Sequence, residues 1–196
     1  MGTREDIVAA AARIMRMHGY AHATTKEIAR EAGYSEAALY KHFQDKTEIF
    51  VSVLTEQLPA LDQMLTRLAD RAGTRTVRAN LVDVARAAVE FYAEAFPIAA
   101  SVFSSQRLLT AHRTRLRELG SGGGPRQPVR RLADYLRAEQ KLGRLDATVD
   151  TEAGAALLFG ACFQQAFLIA FEGERPGEEE LRRLASKLVR TLLTSW

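Results

Sequence analysis

Thr24-Thr25-Lys26-Glu27-Ile28-Ala29-Arg30-Glu31-Ala32-Gly33-Tyr34-Ser35-Glu36-Ala37-Ala38-Leu39-Tyr40-Lys41-His42-Phe43-Gln44-Asp45-Lys46 is the stretch whose reading decides the fold. It holds two helix starts separated by a turn with a single glycine. Thr24, with Glu27 three residues on, makes a capping box, so a helix begins at Thr25. Ile28 and Ala29 take its inner face, and Gly33 supplies the left-handed conformation that ends it. Ser35 is a second N-cap, opening a helix whose Leu39 and Phe43 face inward at i and i+4. Glu36, Ala37, Tyr40 and Lys41 are left pointing outward. Helices joined this way can lay the second in the major groove of DNA while the first crosses the backbone.

Outward from this core the chain reads as all-α, with about nine helices. The first covers Arg4 to His18 and ends at Gly19-Tyr20, and the helix-turn-helix follows. Asp45 caps a long fourth helix, Lys46 to Arg71, with Phe50, Leu54, Leu58, Leu61, Leu65 and Leu68 on its apolar stripe. Pro59 interrupts that helix, removes one backbone donor and is expected to bend it. A fifth helix covers Thr76 to Phe96, stopping before Pro97, and a sixth covers Pro97 to Leu119. Gly120-Ser121-Gly122-Gly123-Gly124-Pro125 reads as a linker; no strand precedes it and no Gly-Lys-Ser/Thr follows, so it is no phosphate loop. The last three helices cover Pro128 to Lys141, Thr151 to Glu172 and Glu178 to Thr194.

The motifs resemble those of the TetR family of bacterial one-component transcriptional regulators. That pattern runs from an amphipathic helix ending in Gly-aromatic (Ile7, Ala11, Ile14 and His18 before Gly19-Tyr20) through Thr-x-x-x-Ile-Ala at Thr24 to Ala29. It closes on Leu39-Tyr40-Lys41-His42-Phe43-Gln44-Asp45-Lys46. The match covers roughly the first quarter of the chain; beyond about Leu54 only size and helical pattern agree. Thr25 stands where the family usually has a bulky apolar residue, and Tyr34 where it has Val or Ile. The resemblance implies a helix-turn-helix domain over 1–48 and a helical effector-binding and dimerisation domain over 49–196. It implies a homodimer on a near-palindromic operator in double-stranded DNA, most simply a repressor released by a small-molecule effector. It also makes Thr24, Lys26, Tyr40 and Lys46 contacts that position the head on phosphates, with Thr25 a further residue on the DNA side. Lys46 sits at a helix N-terminus, which favours a phosphate, and His42 either meets a phosphate or caps the helix end. Base reading then falls to Tyr34, Ser35, Glu36, Ala37 and Lys41. Glu36 could accept from a cytosine amino group, Ala37 could touch a thymine methyl, and Lys41 could reach guanine. In the second domain Phe91, Phe96, Phe103, Phe159 and Phe163 serve either as core or as walls of a pocket, with Gln106 and Gln164 as polar handles. A ligand that tilts the fourth helix, with Pro59 at the bend, would change the spacing of the two heads.

Composition sets bounds on this reading. An apolar fraction of 47% and a charged fraction of 26% are those of an ordinary soluble protein, and a cytoplasmic location is expected. Single Cys162 excludes an internal disulfide and a multi-cysteine metal site. The four histidines (His18, His22, His42, His112) are scattered, and no carboxylate pair or nucleophile arrangement stands out; no enzyme, metal or cofactor is expected. Net charge is only +3, and residues 1–50 carry seven Lys/Arg against seven Asp/Glu, so the head is neutral. That neutrality supports the rival reading, a helical small-molecule carrier or interaction module that has lost DNA binding. Residues 105–145 instead hold ten Lys/Arg against three acids, either a solvated surface or an attractor of an anionic ligand or flanking DNA. Finally, the 19 residues between Glu152 and Glu172 carry no formal charge. Gln164, Gln165, Gly154, Gly160 and the lack of a basic flank argue against a membrane span. A helix apolar on every side must be buried on every side, so a second copy of the chain is expected to cover it through the last two helices, 151–172 and 178–194.

Overall fold

The computed structural model describes residues 2–56, 60–118, 124–194 and 196. Within them the chain is helical throughout: α1 (Thr3–His22), α2 (Thr25–Ala32), α3 (Glu36–Leu39), α4 (Lys46–Glu56), α5 (Ala60–Ala69), α6 (Val77–Phe103), α7 (Gln106–Glu118), α8 (Gln127–Lys141), α9 (Thr151–Glu172) and α10 (Glu178–Thr194). The expected fourth helix, Lys46 to Arg71, is helical over Lys46–Glu56 and Ala60–Ala69, and what joins these two stretches is not among the described residues. Pro59, expected to bend that helix, and residues 120–123 of the expected linker lie outside the described residues.

The chain forms two compact units. One comprises residues 1–59 and 95–123, the other residues 60–94 and 124–196. In the first, Ile7, Ala11 and Met15 of α1 meet Ile28, Leu39, Phe43, Ile49 and Phe50, and the end of α6 adds Ile98 and Val102. Gly19 breaks α1 with φ 74° and ψ 166°, where the sequence places the end of the helix, but three further residues resume helical geometry before Ala23. In the second unit Leu61, Leu65 and Leu68 of α5 pack with Leu81, Val84 and Ala88 of α6, Leu132 and Leu136 of α8, Leu158 of α9 and Val189 of α10. A buried polar thread crosses this core: the Asn80 side-chain amide donates to the Tyr135 hydroxyl at 2.8 Å, and the wholly buried Glu139 faces Arg144 at 3.3 Å. The pair ties the α8 end to the turn before α6, since Glu139 also accepts from the Gly73 amide at 3.4 Å and Arg144 donates to the Arg75 carbonyl.

One boundary differs from expectation. Pro97 does not end a helix; α6 runs through it to Phe103. A proline at this position denies a donor only to the carbonyl four residues back. Ile98 (0% exposed) and Val102 (4%) beyond it are buried, and their packing holds the chain helical across the defect. The break comes at Ser104, whose hydroxyl and amide both turn back to the Ser101 carbonyl.

Helix α9 opens on Asp150, whose carboxylate accepts from the amides of Glu152 and Ala153, and closes on Gly173 in the left-handed region. Gly154 lies against the Trp196 ring: a Cβ there would sit 2.4 Å from it, so the ring would have to shift to admit a side chain. This helix is long and apolar enough to cross a membrane by length and composition, yet only 33% of its most apolar window is buried. Leu157, Phe163, Phe167 and Phe171 stand exposed along it.

Candidate nucleic-acid interface

The head is built from short local devices. The Thr24 hydroxyl accepts from the Glu27 amide at 3.1 Å, while the Glu27 carboxylate accepts from the Thr24 amide and hydroxyl at 3.1 and 2.8 Å. These bonds hold the Glu27 carboxyl below its ordinary range. Gly33, at φ 80°, ends α2 as expected. The Ser35 hydroxyl then accepts from Ala38 and starts α3. Only Glu36–Leu39 are regular α-helix; tighter bonds from Lys41 to Ala38 and from His42 to Leu39 carry the chain onward as turn. Leu39 (0%) and Phe43 (2%) are buried beneath it, so Ser35, Glu36, Ala37, Tyr40, Lys41 and His42 are left exposed on the opposite side.

Two of the expected DNA-side residues, Thr25 and Tyr34, are tied to neighbouring helices. The Thr25 hydroxyl donates to Glu36 Oε1 at 2.6 Å and lies 3.3 Å from the Tyr40 hydroxyl. A threonine at this point in α2 therefore fixes the carboxylate at the start of α3. Tyr34 is half-buried, and its hydroxyl donates to Asp6 of α1 at 3.0 Å, tying the turn to the first helix.

Lys46 is also committed. Its ammonium donates to the Tyr20 carbonyl at 2.9 Å and stands 4.2 Å from the centre of the Tyr20 ring, pinning the resumed end of α1 to the start of α4. Burial lowers its pKa. Arg4 forks onto Glu56 at 2.8 and 2.7 Å, and Arg13 pairs with Glu31 at 3.0 Å. Among the described residues Lys26, Arg30 and Lys41 are the exposed cations of the head that have no ion pair. Sequence reasoning missed Asp6, Tyr20 and Glu56 as partners; each is at least 26 residues from the side chain it meets.

Residues 7–53 match the family model described as bacterial regulatory proteins of the tetR family, and residues 79–195 match the AefR-like transcriptional repressor C-terminal domain. The chain belongs to the TetR family. It is a DNA-binding transcriptional regulator in that broad sense. Solved structures agree in fold. A protein assigned to the TetR family from Mesorhizobium loti shares 24% identity at a TM-score of 0.74, covering 98% of this chain and 96% of that one. FadR of Bacillus subtilis, solved with stearoyl-CoA, shares 18% at 0.70, covering 98% of each chain. SmeT, the repressor of the Stenotrophomonas maltophilia multidrug efflux pump SmeDEF, shares 22% at 0.70, covering 100% of this chain and 90% of that one.

Of the residues expected to line a pocket beyond the head, the structure brings only some together. Phe91, Phe159 and Phe163 surround Tyr92 in the second unit, with ring centres 5.3, 6.5 and 5.5 Å from it. Burial pushes the Tyr92 phenol up to about 12. Sequence reasoning passed over Tyr92, although it adjoins Phe91 in an apolar run. Gln164 is exposed on the same unit, whereas Phe96, Phe103 and Gln106 belong to the first; Phe103 is 80% exposed. Cys162 beneath the cluster is wholly buried, its thiol pushed up to about 12, which makes it an inert core group.

Proposed function

We propose that this TetR-family chain is a homodimeric repressor that binds a near-palindromic operator and is released by a small-molecule effector. The observation that carries the reading is the outward face of α3. Ser35, Glu36, Ala37, Tyr40, Lys41 and His42 are exposed over a buried Leu39–Phe43 anchor, with Glu36 steered by Thr25. Residues 1–48 serve as the reading head and residues 49–196 as the sensing and dimerising part. Lys26, Tyr40, Lys41 and His42 have polar groups on the surface able to meet phosphates or base edges. Thr24 and Lys46 have a narrower role than the motif suggests. The Thr24 hydroxyl proton is given to Glu27 and one Lys46 N–H to the Tyr20 carbonyl, so both support the head's shape, although the Lys46 ammonium keeps donors for a phosphate.

Dimerisation is supported by the exposed Leu157, Phe163, Phe167 and Phe171 of α9, an apolar band that a second copy would bury together with α10. An effector is supported by the aromatic group around Tyr92 and by the solved relatives holding stearoyl-CoA and triclosan. A ligand that prefers the form whose two heads miss successive major-groove faces lowers operator affinity by its differential affinity for the two forms. In vitro selection from a random duplex pool tests the reading. A twofold-symmetric consensus is expected. Enrichment of no sequence, with a small molecule still bound, would leave the carrier reading in its place.

A further inference from the structure

We propose that the furrow between the first turns of α6 and the length of α10 is a binding site for a small phosphorylated ligand of the diphosphate or nucleotide type. Two adjoining concavities of about 440 and 330 Å³ share Arg78, Arg182 and Ser186 as common walls. Spaces of this size are those of small-ligand clefts. Arg183, Lys187 and Arg190 extend the basic wall along α10. Among the described residues none of the five cations Arg78, Arg182, Arg183, Lys187 and Arg190 has a carboxylate within ion-pair distance. The acids nearby do not neutralise them. Asp83 is taken by Arg75 at 2.5 Å and Arg71 at 3.6 Å, and Glu178 and Glu179 sit in the first turn of α10, where the helix dipole favours them.

This crowding has a cost that Glu178 and Glu179, four residues before Arg182 and Arg183, offset only at the first turn of α10. Arg183 and Lys187 are like charges at i, i+4, and Lys187 and Arg190 at i, i+3, spacings that destabilise a helix by a few tenths of a kcal/mol each. Guanidinium forks on both walls match phosphate oxygens bidentately, and a diphosphate brings two adjacent anionic centres into the row. The furrow also lies apart from the proposed dimer face. At 3.6 residues per turn, Arg182, Ser186 and Arg190 fall on one side of the buried Leu181–Ala185–Val189 stripe, and Leu184 and Leu188 on the other. It belongs to the second unit, so its failure would leave the DNA-binding reading untouched.

Calorimetric titration of the purified chain with inorganic pyrophosphate and with ADP, at about 0.15 M salt, tests the site. Adenosine serves as the phosphate-free comparison. Both phosphorylated probes are expected to saturate below about 1 mM while adenosine gives no heat. The double variant R78Q/R182Q should weaken them at least about tenfold without lowering the melting temperature, since two charge-assisted contacts are lost from an exposed wall. If that variant fails to fold, R183Q/R190Q reads the same wall. R126Q/R130Q removes equal charge from the start of α8 and should bind within about twofold of the original. The proposal is overturned by absence of saturable heat with either phosphorylated probe, by equal weakening in R126Q/R130Q, or by a DNA duplex displacing ADP as readily as pyrophosphate does.

Discussion

Thr25 and Tyr34 are the two positions where the head departs from the family pattern, and both departures carry polar cross-links. Thr25 orients Glu36 from the neighbouring helix, and Tyr34 ties the turn to Asp6. If Glu36 reads a base, Thr25→Val and Glu36→Gln should alter selected operator sequences at the same base pair. The threonine change should cost stability only about 1 kcal/mol, as for one hydrogen bond near solvent. Changes at different base pairs in the two selections would show that Thr25 does not steer the carboxylate. Leu39→Ala removes the anchor under α3; a wholly buried leucine there should cost about 2–5 kcal/mol by urea unfolding. At this scale the caps were legible, because Thr24 with Glu27, and Ser35 with Ala38, are bonds between residues three apart. The commitments of Tyr34 and Lys46 were not legible, since their partners lie 28 and 26 residues away and only folding makes them neighbours. Thus a lysine that fits a phosphate-binding motif is found on a carbonyl of α1.

Helix ends were readable where a cap or a left-handed glycine marks them in the head, as at Thr24, Ser35 and Gly33. The reading failed where a local signal competed with tertiary burial, as at Pro97, where Ile98 and Val102 hold α6 together. Since the proline interrupts a packed helix, Pro97→Ala should restore one backbone bond and raise stability, by up to about 3 kcal/mol if no local kink is needed. A denaturant midpoint unchanged or lowered would mean that the bend itself is required. Between α1 and α4 the Arg4–Glu56 fork makes a pH prediction. Pairing with Arg4 holds the Glu56 carboxyl below its ordinary value of 4.5. A depressed folded-state pKa means stability fully present above pH 4.5 and lost as pH falls through the folded value. Glu56→Gln should therefore be less stable than the original at pH 7, by about 1 kcal/mol or less given solvent screening of a partly exposed pair. That gap should close in urea titrations as pH falls through the folded-state value below 4.5, once the native carboxyl is itself protonated.

At the scale of the whole molecule, an apolar α9 and a neutral head pose one problem with a shared answer. Helix α9 leaves Phe171 80% and Leu157 64% exposed, while the head offers only Lys26, Arg30 and Lys41 as unpaired exposed cations among the described residues. One head on one half-site would have few phosphate contacts; in the proposed dimer, two heads joined through α9 and α10 would double them and add the effective concentration of a linked pair. Leu157→Glu should place a charge in that band, convert a dimer to a monomer by light scattering, and lower operator affinity at least about a hundredfold through lost avidity, leaving the head's own fold intact. The salt dependence then separates the sources of charge. If the head alone supplies the cations, six at most neutralise phosphates in the dimer, and the slope of log affinity against log salt should be no steeper than about −5. A markedly steeper slope would draw in the basic residues of 105–145, and neutralising Arg113, Arg115 and Arg117 should then flatten it by about 0.9 for each phosphate contact removed. If the slope stays near −5 and those three substitutions leave it unchanged, that basic segment faces solvent and the operator is held by the heads alone.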